Sequence, residues 1–422
     1  MKFQTEKPLT DFQIDKFSYK NLSKSILDNF LLEMELPNCF GLYGNWGSGK
    51  SSLMHFMIKH IADSPENYKD IKTIYFEPWK YEYSNEKDLL FALLNCIKKN
   101  SGLTKNQWKT ILVDALVIGS GLMRNLKGFD PTGTVGDFKT FENIIFKEHE
   151  IWIDKIEEFK VSFSEIINQV LEKSGASKLL IFIDDLDRCL PENTVKLLEG
   201  IKNFLSVEKT LFILALDKRV VTEMIEKKYG LHYGYGEEYI MKIIHYYYDL
   251  PKIDIKEIIK DILKIHNLQA EESQYLYMAQ FLQKFGGEPR IAKYILHQFC
   301  MKIILSPQAQ NMIANDGNKT MLLYLFVAAF LLTKFPKLFL GSSIKYHLDN
   351  IRASVAVLIN PSRSPDQQYE SIIQKDSVID LNDRKQLEAI FKTPINNGRE
   401  SSPSPIMDVE QLYSALLTIQ VI

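Results

Sequence analysis

Five short apolar runs, each followed by a glycine, a polar residue or a proline, recur through the first 250 or so residues of the chain. Segments of helical periodicity separate them. Runs that are apolar on both faces are typical of buried parallel strands, and their alternation with helices predicts an α/β fold with a parallel sheet and helices on both faces. The predicted strands are Cys39–Tyr43, Thr73–Trp79, Leu179–Asp185, Leu211–Asp217 and Ile244–Leu250.

After Pro251 the strand signal ends and only helical patterns remain. We therefore predict three parts: an α/β domain at 1–251 with a helical insertion at about 101–178, a helical lid at 252–306, and a C-terminal helical region at 307–422. Two loops of low apolar content, 360–368 and 393–405, are predicted to be flexible. The predicted helices after Pro251 are Ile255–Ile265, Ala270–Phe285, Pro289–Ile304, Met321–Thr333, Asp380–Phe391 and Val409–Thr418.

The most informative stretch follows the first apolar run, where residues 44–51 read GNWGSGKS. It fits G-x-x-x-x-G-K-[ST], the P-loop, whose backbone N–H groups surround the phosphates of a nucleotide. In this pattern Lys50 reaches the terminal phosphates, Ser51 offers its hydroxyl to Mg²⁺, and the next helix adds its positive end. A glycine turn without a ligand is the alternative. The predicted nucleotide-binding residues are Gly44, Asn45, Trp46, Gly47, Ser48, Gly49, Lys50, Ser51 and Ser52.

A second motif ends the third run, where residues 179–189 read LLIFIDDLDRC. A parallel strand delivers its last residues to the carboxyl edge of the sheet, where ligands bind. We predict that Asp184 holds Mg²⁺ through water, opposite Ser51, and that Asp185 polarises the attacking water as a general base. Two acids at a strand end can also form an ordinary solvated turn, but the P-loop upstream favours the catalytic interpretation.

Phosphoryl transfer needs a cation for the γ-phosphate besides the P-loop lysine, and two arginines are candidates. Arg188 can act as a finger in its own protomer or in a neighbour. Its alternative role is a salt bridge with Asp185, Asp187 or Glu192. Arg290 begins a helix in the predicted lid, where the alternative is a plain surface charge.

The fourth run ends in Asp217, with Arg219 two residues later. This is where a polar residue that senses the γ-phosphate can stand. The alternative is that Asp217 caps the N-terminus of the following helix, which we favour.

Composition and charge narrow the class of protein. An apolar fraction of 45% and a charged fraction of 25% are typical of a soluble globular chain, and a net charge of −2 indicates no broad basic surface for nucleic acid. The four scattered cysteines lack metal-site spacing and suit a reducing compartment, and the N-terminus lacks the apolar core of a signal peptide. We therefore predict a cytoplasmic protein.

Two apolar segments, Ile111–Met123 and Leu322–Leu332, need separate consideration because they resemble parts of membrane spans. Both are shorter than the ~20 residues of a spanning helix. We interpret them as core helices, with an interfacial helix as the alternative for the first. No integral membrane span is predicted.

These motifs together resemble the KAP family of P-loop NTPases. The residues that carry the resemblance are YGNWGSGKSSL at 43–53, FEPWKYEYSNEKDLLFALL at 76–94, IDDLDRC at 183–189, EEYIMKIIHYYYDLP at 237–251 and GEPR at 287–290. Glu77 and Pro78 stand where the family usually has Asn and Ala, and the insertion is too short to hold the family's transmembrane helices. The resemblance implies an ATPase switch that forms homo-oligomers and acts in bacterial defence against phages.

Four functions remain open at this point. The first is an ATP- and Mg²⁺-dependent hydrolysing switch, acting with a separate, operon-encoded effector because the sequence contains no effector motif of its own. The second is a nucleotide-gated scaffold with little turnover, since Asp185 stands where fast ATPases often have Glu. A kinase is disfavoured by the lack of an arginine-rich lid, and a nucleic-acid motor by the lack of a basic stripe with interleaved aromatic residues.

Overall fold

A computed structural model describes residues 8–15, 18–82, 89–101, 157–230, 234–251, 254–286, 289–316, 320–336 and 409–420, with isolated positions between 386 and 395. The chain divides into two compact units. One comprises the described residues up to Pro251, and the other comprises the described residues from Asp254 onward. The predicted segment Ile111–Met123, the loop at 360–368 and nearly all of the loop at 393–405 lie outside the described residues.

The first unit is built on a five-stranded sheet in which every neighbouring pair is parallel. The strands are β1 (Asn38–Tyr43), β2 (Ile71–Phe76), β3 (Lys178–Ile183), β4 (Thr210–Leu216) and β5 (Tyr246–Asp249), in the order β2-β3-β4-β1-β5. The predicted parallel α/β sheet is therefore confirmed. β2 ends before Pro78, which lacks the N–H that a further ladder bond needs.

Alternate residues along each strand enter two separate cores, as the period-2 geometry of a strand requires. On β3, Ile181 and Ile183 join one core, whereas Leu180 and Phe182 join the other. The first core is covered by helical residues such as Leu93, Phe163, Val195 and Val221, and the second by Tyr19, Ile26, Leu53 and Phe56. Both faces of the central strands are thus packed, which explains why β1, β3 and β4 read as nearly unbroken apolar runs.

The helices of this unit lie where the sequence has a clear helical spacing of apolar residues. They are Tyr19–Ile26, Lys50–Asp63, Pro65–Tyr68, Leu89–Ser101, a segment at 157–174, Pro191–Gly200, Lys218–Tyr229 and Tyr235–Met241. The helix Tyr19–Ile26 is an addition to the sequence prediction, which assigned no element before β1. It packs on the P-loop helix and contributes to the second core.

The second unit is helical throughout its described part. Its helices are Ile255–Ile265, Glu272–Phe281, Pro289–Leu305, Pro307–Ala314, Met321–Lys334 and Val409–Gln420. All residues from Leu322 to Leu332 are buried, so this apolar segment is a core helix, as predicted. Across the described ranges, no helix combines the length and the apolar character that crossing a bilayer requires.

Candidate functional site

The carboxyl ends of β1, β3 and β4 meet at one edge of the sheet. β4 lies between the other two strands, with Leu214 beside Ile183 and Leu216 beside Tyr43. The residues that follow these strands are Gly44, Asp184 and Asp217. The P-loop and the strand-end acids therefore share one edge, as the sequence predicted for parallel strands.

Two glycines of the P-loop have left-handed backbone, Gly47 with a φ of 84° and Gly49 with a φ of 90°. A β-carbon at Gly49 would also lie 2.4 Å from the Tyr19 ring. At Gly44 a β-carbon would lie 2.4 Å from the Ser48 hydroxyl. That hydroxyl is buried and has no hydrogen-bond partner among the described residues. The helix Lys50–Asp63 starts directly after this loop, so its free N–H groups face the loop.

Lys50 is held inside the loop by three oxygen atoms. Its Nζ donates to the carbonyl oxygens of Gly44 at 2.7 Å and Asn45 at 3.3 Å. It also lies 3.6 Å from Oδ2 of Asp187, and both side chains are only 8% exposed. The ammonium group is thus fixed where the loop can present it to a phosphate. Asp187 is a site residue that sequence reasoning named only as a possible partner of Arg188.

A segment before β1 supports the P-loop from outside. The Tyr19 hydroxyl donates to the Ser48 carbonyl, and the backbone N–H of Leu9 donates to Oγ of Ser52 at 2.9 Å. These contacts join residues 29 and 43 positions apart in the chain. Sequence analysis missed them because nothing local to Leu9 or Tyr19 marks a partner so far along the chain.

Asp184 is the most enclosed acid of the site, with 2% of its surface exposed. Its Oδ2 accepts a hydrogen bond from the Tyr75 hydroxyl at 2.6 Å, and its Oδ1 accepts one from the Asp185 N–H at 2.9 Å. Burial, followed by the charge of Asp184, raises the pKa of Tyr75, so the phenol keeps its proton as a donor. The ring of His55 packs against Tyr75 in a tilted arrangement, with 4.7 Å between the ring centroids, and burial lowers the pKa of His55.

Asp185 stands in a left-handed conformation with φ of 56°, which Asp tolerates better than most residues. Its Oδ1 lies 2.8 Å from the Arg188 guanidinium, so the salt bridge foreseen for Arg188 is present. Burial, reinforced by the Asp184 carboxylate, raises the pKa of Asp185 to about 6, and Arg188 opposes the rise. A carboxyl group with a pKa close to neutral is suited to exchange a proton with water.

Asp217 caps the helix that follows β4, as the favoured interpretation predicted. Its side chain accepts from the Arg219 N–H at 3.1 Å, and Arg219 also contacts the other carboxylate oxygen at 3.3 Å. The backbone N–H of Asp217 donates to Oδ2 of Asp187 at 2.9 Å, the same oxygen that faces Lys50. Asp187 therefore links the P-loop lysine to the end of β4. The sensor role of Asp217 stays a prediction.

Arg290 lies in the first turn of the helix Pro289–Leu305, in the other compact unit. Its role toward the nucleotide stays a prediction. Within the described residues, no group of three or more His, Cys, Asp or Glu side chains has a metal-site arrangement.

The oxygen donors at the sheet edge fit Mg²⁺ with a nucleotide. Mg²⁺ prefers oxygen ligands and binds through one or two protein groups together with substrate phosphates and water. The Asp184 carboxylate is buried and oriented by Tyr75, and Ser51 lies in the first turn of the P-loop helix. These two residues can hold the ion, which would neutralise charge on the phosphates.

The fold and the site define a nucleotide-binding protein of the P-loop class. Within that class, the chain matches the KAP family P-loop domain over residues 17–329, most of its length, and it belongs to the KAP family of P-loop NTPases. The resemblance drawn from the sequence motifs is thereby confirmed.

Two curated relatives match parts of the chain. The Phage T7 exclusion protein of Escherichia coli K12 is 23% identical over 258 residues, which cover 57% of this chain and 34% of that protein. An uncharacterised protein of Methanocaldococcus jannaschii is 33% identical over 122 residues, covering 26% of this chain and 62% of that protein. The chain thus spans about a third of the first relative's length and less than two thirds of the second's.

Among solved structures, the chain is similar to the ORC2 protein of Aeropyrum pernix in its ADPNP–ADP complexes. The sequence identity is 13% and the TM-score 0.35, with 99% of this chain and 96% of that chain covered. The Walker-type ATPase of Pyrococcus abyssi gives 13% identity and a TM-score of 0.35, covering 98% and 99%.

Proposed function

We propose that the chain binds ATP with Mg²⁺ and hydrolyses its γ-phosphate bond. One observation carries this proposal: the P-loop and the end of β3 lie at the same edge of the sheet. Lys50 contacts Asp187, and Asp187 accepts a hydrogen bond from the residue that follows β4. β4 in turn pairs with β3, which ends at Asp184. A phosphate-binding loop beside a buried, oriented carboxylate is what phosphoryl transfer to water requires.

Each residue has a distinct role in this proposal. Lys50 and the loop amides hold the phosphates, while Ser51 and Asp184 hold Mg²⁺. Asp185 accepts the proton of the attacking water. Arg188 and Arg290 are the candidates for the remaining charge on the γ-phosphate.

The family and one relative support a proposal for the cellular role. The printed name of the Escherichia coli relative links that protein to exclusion of phage T7. We extend this to propose that the chain is a cytoplasmic, oligomerising ATPase switch of a defence system, acting on a separate effector protein. The genes that neighbour the gene for this chain can be examined directly for one that encodes such an effector.

Two variants with matched controls test the hydrolysis. Lys50→Ala removes the phosphate-binding ammonium group, and Asp185→Asn removes the base. We expect each change to lower the rate of ATP hydrolysis by about 100-fold or more. The control changes are Lys59→Ala and Asp63→Asn, which break an ion pair of 3.1 Å in the exposed part of the P-loop helix. Phosphate release that stays at the wild-type rate in either site variant contradicts the assignment.

A nucleotide-gated scaffold is the second candidate, and one observation favours it. Asp185 stands where many fast ATPases have Glu, and its shorter side chain places the attacking water differently. A scaffold holds ATP intact for hours and assembles only while ATP is bound. The mass of the purified protein is measured with and without ATP and Mg²⁺, and any co-purifying partner is identified. This shows whether assembly depends on bound ATP. A monomer under every condition, with no partner, contradicts both the oligomeric switch and the scaffold.

A further inference from the structure

Arg188 lies beside the rings of Trp46 and Trp79, although the three residues come from three different loops. Trp46 belongs to the P-loop, Trp79 follows β2, and Arg188 follows β3. The guanidinium carbon of Arg188 lies 5.8 Å from the centroid of the Trp46 ring and 5.7 Å from that of Trp79. Both distances fall within the ~6 Å over which a cation is attracted to an aromatic ring.

We propose that Trp46 and Trp79 hold Arg188 as a clamp on Asp185, which makes Trp79 and Arg188 positioning residues for the water-activating carboxylate. This inference rests on the proposed ATP hydrolysis. It gives Arg188 a role through Asp185 within its own chain, in place of direct contact with the γ-phosphate.

The contacts of Arg188 explain why the rings matter for its position. The tight turn Leu186–Arg188 brings the arginine back over Asp185, to which it donates at 2.8 Å. Its Nε is buried and has no hydrogen-bond partner among the described residues. A partly exposed ion pair between residues three apart fixes a side chain only weakly. The two rings therefore supply the restraint that a single carboxylate does not.

The exposure of the tryptophans supports the same conclusion. Trp46 is 46% exposed and Trp79 is 41% exposed, so neither ring serves mainly to fill a core. Tryptophan is buried to a high degree on average in folded proteins. A planar guanidinium stacks on such rings, which a lysine ammonium does not reproduce, and this gives a reason for arginine at position 188 in a lysine-rich chain.

The clamp predicts a particular pattern in the kinetics. Trp79→Leu removes one of the two rings that restrain Arg188, so kcat for ATP hydrolysis falls about 10-fold because the base is oriented less precisely. The affinity for ATP, measured by calorimetry with a non-hydrolysable analogue, changes less than about 2-fold because phosphate binding is untouched. Trp79→Phe keeps an aromatic face and restores most of kcat. The control is Phe30→Leu, which removes a ring that is 54% exposed in a segment before β1.

A double variant tests whether the two residues act as one unit. Arg188→Lys lowers kcat by about as much as Trp79→Leu, and the combination lowers it no further, since residues that act together are not additive. Arg188→Lys also serves as the test if Trp79→Leu fails to fold, because it keeps the charge while removing the planar group.

The outcomes separate this inference from the proposed function. If the wild-type chain hydrolyses no ATP, both are wrong. If the wild type is active and Trp79→Leu or Arg188→Lys is equally active, only the clamp is wrong. A loss of ATP affinity with unchanged kcat also overturns the clamp, because it makes Trp79 a nucleotide contact. Additive losses in the double variant overturn the coupling between ring and arginine.

Discussion

Replacing Tyr75 by Phe tests whether the proposed metal ligand is held in place by its neighbour. The change removes one oxygen, which donates a hydrogen bond of 2.6 Å to Oδ2 of Asp184. Because Asp184 is only 2% exposed, water does not readily replace the lost donor. A hydrogen bond to a charged group contributes about 1.5–3 kcal/mol, so we expect the free energy of unfolding to fall by about 2 kcal/mol and the melting midpoint by about 5 °C.

We expect Tyr75→Phe to weaken the binding of Mg²⁺ more than the binding of the nucleotide. Groups that orient a metal ligand typically account for a factor of about 10–100 in metal affinity. We therefore expect the Mg²⁺ concentration for half-maximal ATP hydrolysis to rise about 10-fold in Tyr75→Phe. The assay is a Mg²⁺ titration of phosphate release at saturating ATP, with thermal unfolding measured on the same samples.

Tyr68→Phe is the matched control for this experiment. Tyr68 also donates to a carboxylate oxygen at 2.6 Å, but its partner is Asp28, in the segment before β1. The control lowers stability without moving the Mg²⁺ titration. If Tyr75→Phe leaves the titration unchanged, or if both variants shift it equally, the argument that Tyr75 orients the metal ligand is refuted.

Three further predictions concern stability and binding. Glu199→Ala leaves the Lys228 ammonium group, whose side chain is 7% exposed, without its carboxylate at 3.4 Å, and lowers the free energy of unfolding by about 3 kcal/mol in urea titrations. Burial, and then the neighbouring His297, lower the pKa of His266 below its unfolded value, so the unfolded chain takes up the proton first. The midpoint of the wild type relative to that of His266→Gln is therefore constant above pH ~7 and falls as the pH drops below about 6.5. Gly49→Ala places a β-carbon at a φ of +90° and weakens ATP affinity about 10-fold by calorimetry; unchanged affinity contradicts the need for glycine there.

The strands and the P-loop were predictable because their signals are local. The central strands β1, β3 and β4 are nearly continuous apolar runs, since both of their faces are covered. Asp184 and Gly44 were likewise expected at one edge, because parallel strands carry their last residues to the same side. The N-cap role of Asp217 follows from its place directly before a helix.

The supporting contacts of the site were not predictable from local patterns. Tyr75 and Asp184 are separated by 109 positions, and Tyr19 reaches Ser48 across 29. Tyr75 lies in a β-strand whose pattern accounts for a tyrosine by burial alone. Such side chains acquire their partners only when the sheet order brings two strands or a preceding helix together, and an apolar pattern does not specify which polar atoms then meet.

The fate of ATP on the protein in a single turnover tests the central claim most directly. Purified protein in excess over ATP is incubated with Mg²⁺, quenched at intervals, and the bound nucleotide is separated and quantified. We predict that the wild type converts the bound ATP to ADP and phosphate, whereas Asp185→Asn binds the same amount and retains it as ATP. Intact ATP on the wild type after hours, or equal conversion by Asp185→Asn, contradicts the account.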